Sequence, residues 1–117
     1  SVIIERGTSF GYGNLIVDMR GFEHHKRNDT PIIFDATHSV QHPGGQGQSS
    51  GGDRTMVEPL SMSAVAQSIA GVFLEVHDDP NNAPSDGPNA LHLGDFSQLV
   101  EKLRDLDQFV KRTGVLH

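Results

Sequence analysis

The chain has 117 residues, 35% of them hydrophobic and 21% charged, with no cysteine and a formal net charge of -6. That size allows one modest domain around one core, and the composition is that of a folded rather than a disordered chain. The acidic balance offers no footprint for nucleic acid or an anionic membrane, and the lack of cysteine excludes disulfides and any Cys-ligated zinc site made by this chain.

No apolar run nears the roughly 20 residues that cross a bilayer, and no signal-peptide pattern opens the chain. A cytoplasmic globular domain is the expectation. The chain begins directly on an apolar strand pattern, Ser1-Val2-Ile3-Ile4. A first strand with no approach segment suggests a fragment or a processed product.

Val2-Ile3-Ile4 reads as a buried parallel strand ending at the polar Glu5-Arg6-Gly7-Thr8. Gly11 to Asn14 reads as a turn, with Asn14 the expected N-cap of a helix through Leu15, Val17, Met19 and Phe22 to about Lys26. Asn28-Asp29-Thr30-Pro31 breaks that helix, and Pro31-Ile32-Ile33-Phe34 forms a second buried strand leading into Asp35-Ala36-Thr37-His38. The glycine-rich segment 39–53 has no apolar periodicity, and a loop of that length inside a compact domain is usually functional or mobile. Met56, Leu60, Ala64, Val65 and Ile69 recur at helical spacing, which predicts a helix from Arg54 to Ala70. Gly71-Val72-Phe73-Leu74 is a third strand, ending at Glu75-Val76-His77. Residues 78–88 are a loop. Phe96, Leu99, Val100, Leu103, Leu106, Phe109 and Val110 mark a last amphipathic helix, starting after Asp95 and stopping near Gly114.

Three strand–helix repeats predict an α/β fold with a parallel sheet. Such folds place their chemistry at the C-terminal ends of the strands, where the polar residues of this chain fall. Three strands cannot close an eight-stranded barrel, so this is a small open sheet or part of a larger barrel. The second reading is favoured.

Arg6 closes the first strand, and its planar charged fork suits a phosphate or carboxylate; an ion pair with Glu5 or another barrel-mouth acid is the competing reading. His38 closes the second strand and could bind a metal, donate to a phosphate or shuttle a proton; alone it reads equally as a hydrogen-bonded structural His. Glu75 and His77 sit on alternate positions of the third strand, so both should point the same way. His38, Glu75 and Asp86 would meet at one end of the sheet, a nitrogen and oxygen set suited to a divalent transition ion. Ser49-Ser50-Gly51-Gly52 leads into a helix start and could cradle phosphate, or be plain linker. It lacks the Gly-Lys-Ser/Thr ending of a Walker loop. The other histidines, His24, His25, His42, His92 and His117, read as solvated.

Several strings together resemble the 3-deoxy-D-manno-octulosonate 8-phosphate (Kdo8P) synthases: Glu5-Arg6-Gly7-Thr8-Ser9-Phe10-Gly11-Tyr12, Phe34-Asp35-Ala36-Thr37-His38-Ser39-Val40-Gln41, Pro43-Gly44-Gly45 with Ser49-Ser50-Gly51-Gly52, and Glu75-Val76-His77 followed by Ser85-Asp86-Gly87-Pro88. The deoxy-heptulosonate phosphate (DAHP) synthases share the Arg strand, a strand-end His and the Glu…Asp-Gly-Pro ending. Ala36-Thr37-His38-Ser39-Val40-Gln41 favours the octulosonate branch.

The resemblance implies a (β/α)8 TIM barrel of which residues 1–117 are the C-terminal part, roughly the last three βα units, with 39–53 an active-site loop. It implies condensation of phosphoenolpyruvate with arabinose 5-phosphate and water in lipopolysaccharide biosynthesis. Arg6, Gln41 and Ser50 would bind substrate, Arg6 at the phosphate of phosphoenolpyruvate and Ser50 at the sugar phosphate. His38, Glu75 and Asp86 would be catalytic, and in metal-dependent members would be metal ligands. The fourth ligand, a Cys on the barrel's first strand, is not in this chain, so the divalent metal stays open; no organic cofactor is implied. A homotetramer is the family expectation. The alternatives are a DAHP synthase-like condensation with another aldose phosphate, and a non-catalytic phosphosugar-binding α/β module.

Overall fold

A computed structural model describes residues 1–9, 15–42, 51–80 and 90–114. The chain opens with β1 (Ile3–Glu5), after which Gly7 turns the backbone at φ +90° into β2 (Thr8–Ser9). Strand β2 pairs antiparallel with β3 (Leu15–Ile16). A side chain at Gly7 is opposed twice: by the positive φ, and by the Leu15 Cβ, 3.1 Å from where a Cβ would stand.

The expected helix start at Leu15 is therefore overturned. Leu15, Val17 and Met19 recur every second residue and are half-buried, while Ile16, Asp18 and Arg20 between them are exposed. That is a strand period, and the strand pairing wins. Asn14 lies outside the described residues. Helix α1 (Met19–Arg27) is capped by Asp18, whose side chain accepts the Arg20 N–H at 3.0 Å. Four basic residues, His24 to Arg27, fill its last turn, where the helix dipole favours positive charge.

Strand β4 (Ile32–Asp35) runs parallel to β1, with Ile3 opposite Ile32 and Glu5 opposite Phe34. A 3-10 turn (His38–Val40) follows, then β5 (Gln41–His42), which pairs antiparallel with β6 (Gly51–Gly52). The ends of the expected 39–53 loop are thus paired; residues 43–50, including Ser50, lie outside the described residues. Asp53 caps a second 3-10 turn (Arg54–Met56), which leads into α2 (Val57–Val65). This helix ends short of the expected Ala70. Gln67 and Ser68 bond back only three residues, Ser68 takes φ +60°, and the Gln67 carbonyl accepts Lys26 Nζ instead of a further helical N–H.

Strand β7 (Gly71–Phe73) adds to β4 in parallel, giving the order β1-β4-β7. Two further short strands, β8 (Val76–His77) and β9 (Leu91–His92), pair in parallel, and the Leu91 N–H reaches the Glu75 carbonyl at 2.9 Å. Helix α3 (Leu93–Thr113) begins two residues before Asp95 because His92 Nδ1 accepts the Gly94 N–H at 3.0 Å; Gly114, at φ +74°, ends it. The third unit thus differs from expectation. Its helix leaves from β9, not from the loop after β7.

The core lies on one face of the sheet. Phe34, fully buried on β4, meets Phe22 of α1 edge-on with ring centroids 6.1 Å apart. Ile32, Val57, Ala64, Val65, Ile69, Leu99 and Leu103 complete the cluster. On the other face Ile4, opposite Ile33, is 59% exposed and Phe73, opposite Asp35, is 45% exposed, so β1 forms as expected but is not the buried strand that Val2-Ile3-Ile4 suggests. Among the described residues no helix is long and apolar enough to cross a membrane.

Candidate active site

Because β1, β4 and β7 are parallel neighbours, their C-terminal ends share one rim. Arg6 follows β1, His38 follows β4 by three residues, and Glu75 follows β7 by two. His38 and Glu75 are brought together. Nε2 of His38 stands 3.9 Å from Oε1 of Glu75, with side chains 18% and 35% exposed.

Local chemistry fixes the His38 ring. Asp35, the last residue of β4, is 7% exposed and uses both carboxylate oxygens on the same residue. Oδ1 accepts the His38 backbone N–H at 2.9 Å, and Oδ2 lies 2.7 Å from His38 Nδ1. A carboxylate only accepts, so Nδ1 carries the proton and Nε2 is the atom presented to Glu75. Phe73 stacks on the imidazole, with centroids 6.2 Å apart and an interplanar angle of 27°. The Glu75 backbone is tied to the same turn, its N–H donating to the Thr37 hydroxyl at 2.7 Å.

Of the other expected residues, Arg6 is exposed and has no ion pair among the described residues. The competing reading, an ion pair with Glu5, is not formed; Glu5 Oε1 accepts the Gly7 N–H at 2.9 Å. Gln41 is half-buried at the base of the β5–β6 pair. His77 does not join Glu75: its Nδ1 accepts the Asp79 N–H at 2.9 Å and lies 3.2 Å from Asp78. The physical reason is that Leu74 and Glu75 fall in an irregular step between β7 and β8, so strand alternation does not run from Glu75 to His77. Asp86 and Ser50 lie outside the described residues. His92, expected to be merely solvated, caps α3.

Asp35 and Thr37 are site residues that the sequence reading misses. The signal that points to Asp35 is the Asp-x-x-His spacing, which lets a short acceptor reach back over a tight turn to the backbone three residues on.

An imidazole nitrogen and a carboxylate oxygen 3.9 Å apart are within the span of one divalent ion at about 2.0–2.2 Å from each. No group of three His, Cys, Asp or Glu side chains forms among the described residues. Two donors alone do not make a metal site; a divalent ion here would need at least one further ligand.

These features define a class: a parallel α/β protein with an acid–base cluster and an exposed arginine at the C-terminal rim of its strands. The family model described as DAHP synthetase I family matches residues 2–112, and the chain belongs to that family. Among curated relatives it is 51% identical over 115 residues to the 2-dehydro-3-deoxyphosphooctonate aldolase of Hydrogenovibrio crunogenus, covering 98% of this chain and 42% of the relative. The same named protein of Agrobacterium fabrum is 54% identical over 110 residues, covering 94% and 39%. That of Chelativorans sp. is 56% identical over 107 residues, covering 92% and 39%. The chain spans about two-fifths of the length of the curated relatives it matches.

Proposed function

We propose that the chain is the C-terminal portion of an octulosonate-phosphate synthase, which joins phosphoenolpyruvate to arabinose 5-phosphate with water and releases phosphate. The observation that carries this reading is the meeting of His38 and Glu75 at the strand-end rim, in a chain more than half identical to proteins named for the octulosonate compound. The whole barrel, the last βα units of which this chain would supply, belongs to the same proposal.

The reaction sets three demands. Carbon–carbon bond formation needs C3 of phosphoenolpyruvate held against the sugar aldehyde, the aldehyde oxygen must be polarised, and water must reach C2. Two phosphorylated anions repel each other, so fixed positive charge must hold them within attack distance. Arg6, exposed at the rim, suits the phosphate of phosphoenolpyruvate. Gln41 and Ser50, both in the 39–53 loop, would bind substrate, Ser50 at the sugar phosphate. His38, oriented by Asp35, presents Nε2 where a proton of the attacking water or of the aldehyde oxygen would be handled. In a metal-dependent member His38, Glu75 and Asp86 would hold a divalent ion. When bound, that ion would supply Lewis-acid polarisation of the aldehyde.

The test uses the full-length polypeptide with phosphoenolpyruvate and arabinose 5-phosphate, following phosphate release and product mass. An eight-carbon product supports the reading. A seven-carbon product from a four-carbon aldose phosphate, with none from the pentose phosphate, transfers the chain to the heptulosonate branch. Saturable sugar-phosphate binding with no turnover on either pairing leaves a binding module. Light scattering of the same sample tests the expected homotetramer.

A further inference from the structure

The gap between His38 and Glu75 is spanned by two loops that belong to different strands, and something must hold those loops in register. The backbone ladder does not do so. Pairing between β4 and β7 ends at Asp35 and Phe73, and the last main-chain bond across the pair is Ala36 N–H to the Phe73 carbonyl, 3.0 Å. Beyond it, Thr37 takes over. Thr37 is 1% exposed, and its hydroxyl accepts the Glu75 N–H at 2.7 Å. Thr37 immediately precedes His38, so one short bond links the residue before the imidazole to the backbone of the carboxylate.

We propose that Thr37 is a positioning residue: its hydroxyl sets the separation of His38 and Glu75 without touching substrate. Asp35 fixes the direction of the ring from its own strand, and Thr37 fixes where the partner strand's carboxylate stands relative to that ring. Burial makes the link stiff. With the hydroxyl sealed from solvent, no water can replace it without opening the sheet between β4 and β7. The inference rests on the functional reading above, because a fixed gap matters only if both groups act on one substrate.

The experiment is a set of variants in the full-length polypeptide, read by steady-state kinetics with phosphoenolpyruvate and arabinose 5-phosphate. Thr37→Val keeps shape and removes the acceptor; kcat should fall about 10- to 100-fold, the range for disturbing groups that orient an active-site ligand. KM for phosphoenolpyruvate should stay within about twofold, because Arg6 stands on a different strand. Thr37→Ser restores the acceptor and should recover turnover to within about threefold of the parent. In a Glu75→Ala background Thr37→Val should cost almost nothing further, since the group it positions is gone. A purely structural role would instead give additive losses and no serine rescue, and that pattern overturns the proposal. If Thr37→Val fails to fold, Thr37→Ala against Thr37→Ser gives the same comparison: rescue by serine supports the positioning role, and equal losses overturn it. His38→Ala separates the two levels. Normal turnover in His38→Ala defeats the catalytic role of His38 in the functional reading, whereas abolished turnover there, with Thr37→Val at parental rate, defeats only the positioning role.

Discussion

The two faces of the sheet are unlike each other. On one, Ile32 and Phe34 lie at 1% and 0% exposure beneath three helices. On the other, Ile4 of β1 and Phe73 of β7 remain 59% and 45% exposed, opposite Ile33 and Asp35 of the strand between them. Alternation along a strand sends successive side chains to opposite faces, so a strand apolar on both sides is built to be covered on both sides. The covered face supplies stability. The other face carries Asp35 at the end of β4 and leads to the candidate pair His38 and Glu75.

The largest expected effect breaks the covered face. Phe34→Ala removes a fully buried ring packed edge-on against Phe22 and should destabilise by about 3–5 kcal/mol, read as a loss of denaturation midpoint in urea. Next comes the polar end of the same strand. Asp35→Asn keeps the shape but offers one acceptor where the carboxylate offers two, to the His38 backbone and the ring; turnover of the full-length polypeptide should drop about 10- to 100-fold with little change in KM. Gly7→Ala should cost about 1–3 kcal/mol, because φ +90° is strained for alanine and its Cβ would crowd Leu15. Ile4→Ala sharpens the contrast. In this chain alone it should cost under about 1 kcal/mol, as expected of an exposed side chain, and in the full-length polypeptide about 2–5 kcal/mol if the bare face is enclosed there. Equal, small losses in both would mean that nothing covers the face. The smallest effect is Lys102→Ala, which removes the surface ion pair to Glu58 and should shift stability by no more than about 1 kcal/mol.

How much of this is legible in the sequence follows from where local pattern decides the structure. The three sheet strands are legible, because Val2-Ile3-Ile4, Pro31-Ile32-Ile33-Phe34 and Gly71-Val72-Phe73 are apolar runs too short for helices and bounded by turn residues. So is the gathering of His38 and Glu75, which needs only parallel order. Strand β3 escapes the sequence because Leu15, Val17 and Met19 keep a strand period only briefly before Phe22 carries the pattern into the helix, and the Thr8–Ser9 partner that decides the matter is a non-local contact. Strand β9 is invisible in sequence: Leu91-His92 carries no run, and the pairing with Val76-His77 supplies its order. The direction of His77 escapes for a related reason, since the irregular step at Leu74 and Glu75 has no mark in composition. Asp35 and Thr37 act through a turn and a single cross-strand bond, both fixed by tertiary placement.

A double-mutant cycle on His38 and Glu75 in the full-length polypeptide measures the central pairing most directly. Each alanine replacement alone should cut turnover by at least about 100-fold, and the double variant should be little worse than either single one, because the two groups serve one step. Turnover within a few-fold of the parent in both single variants, or losses that simply multiply, would contradict a shared site at the strand-end rim.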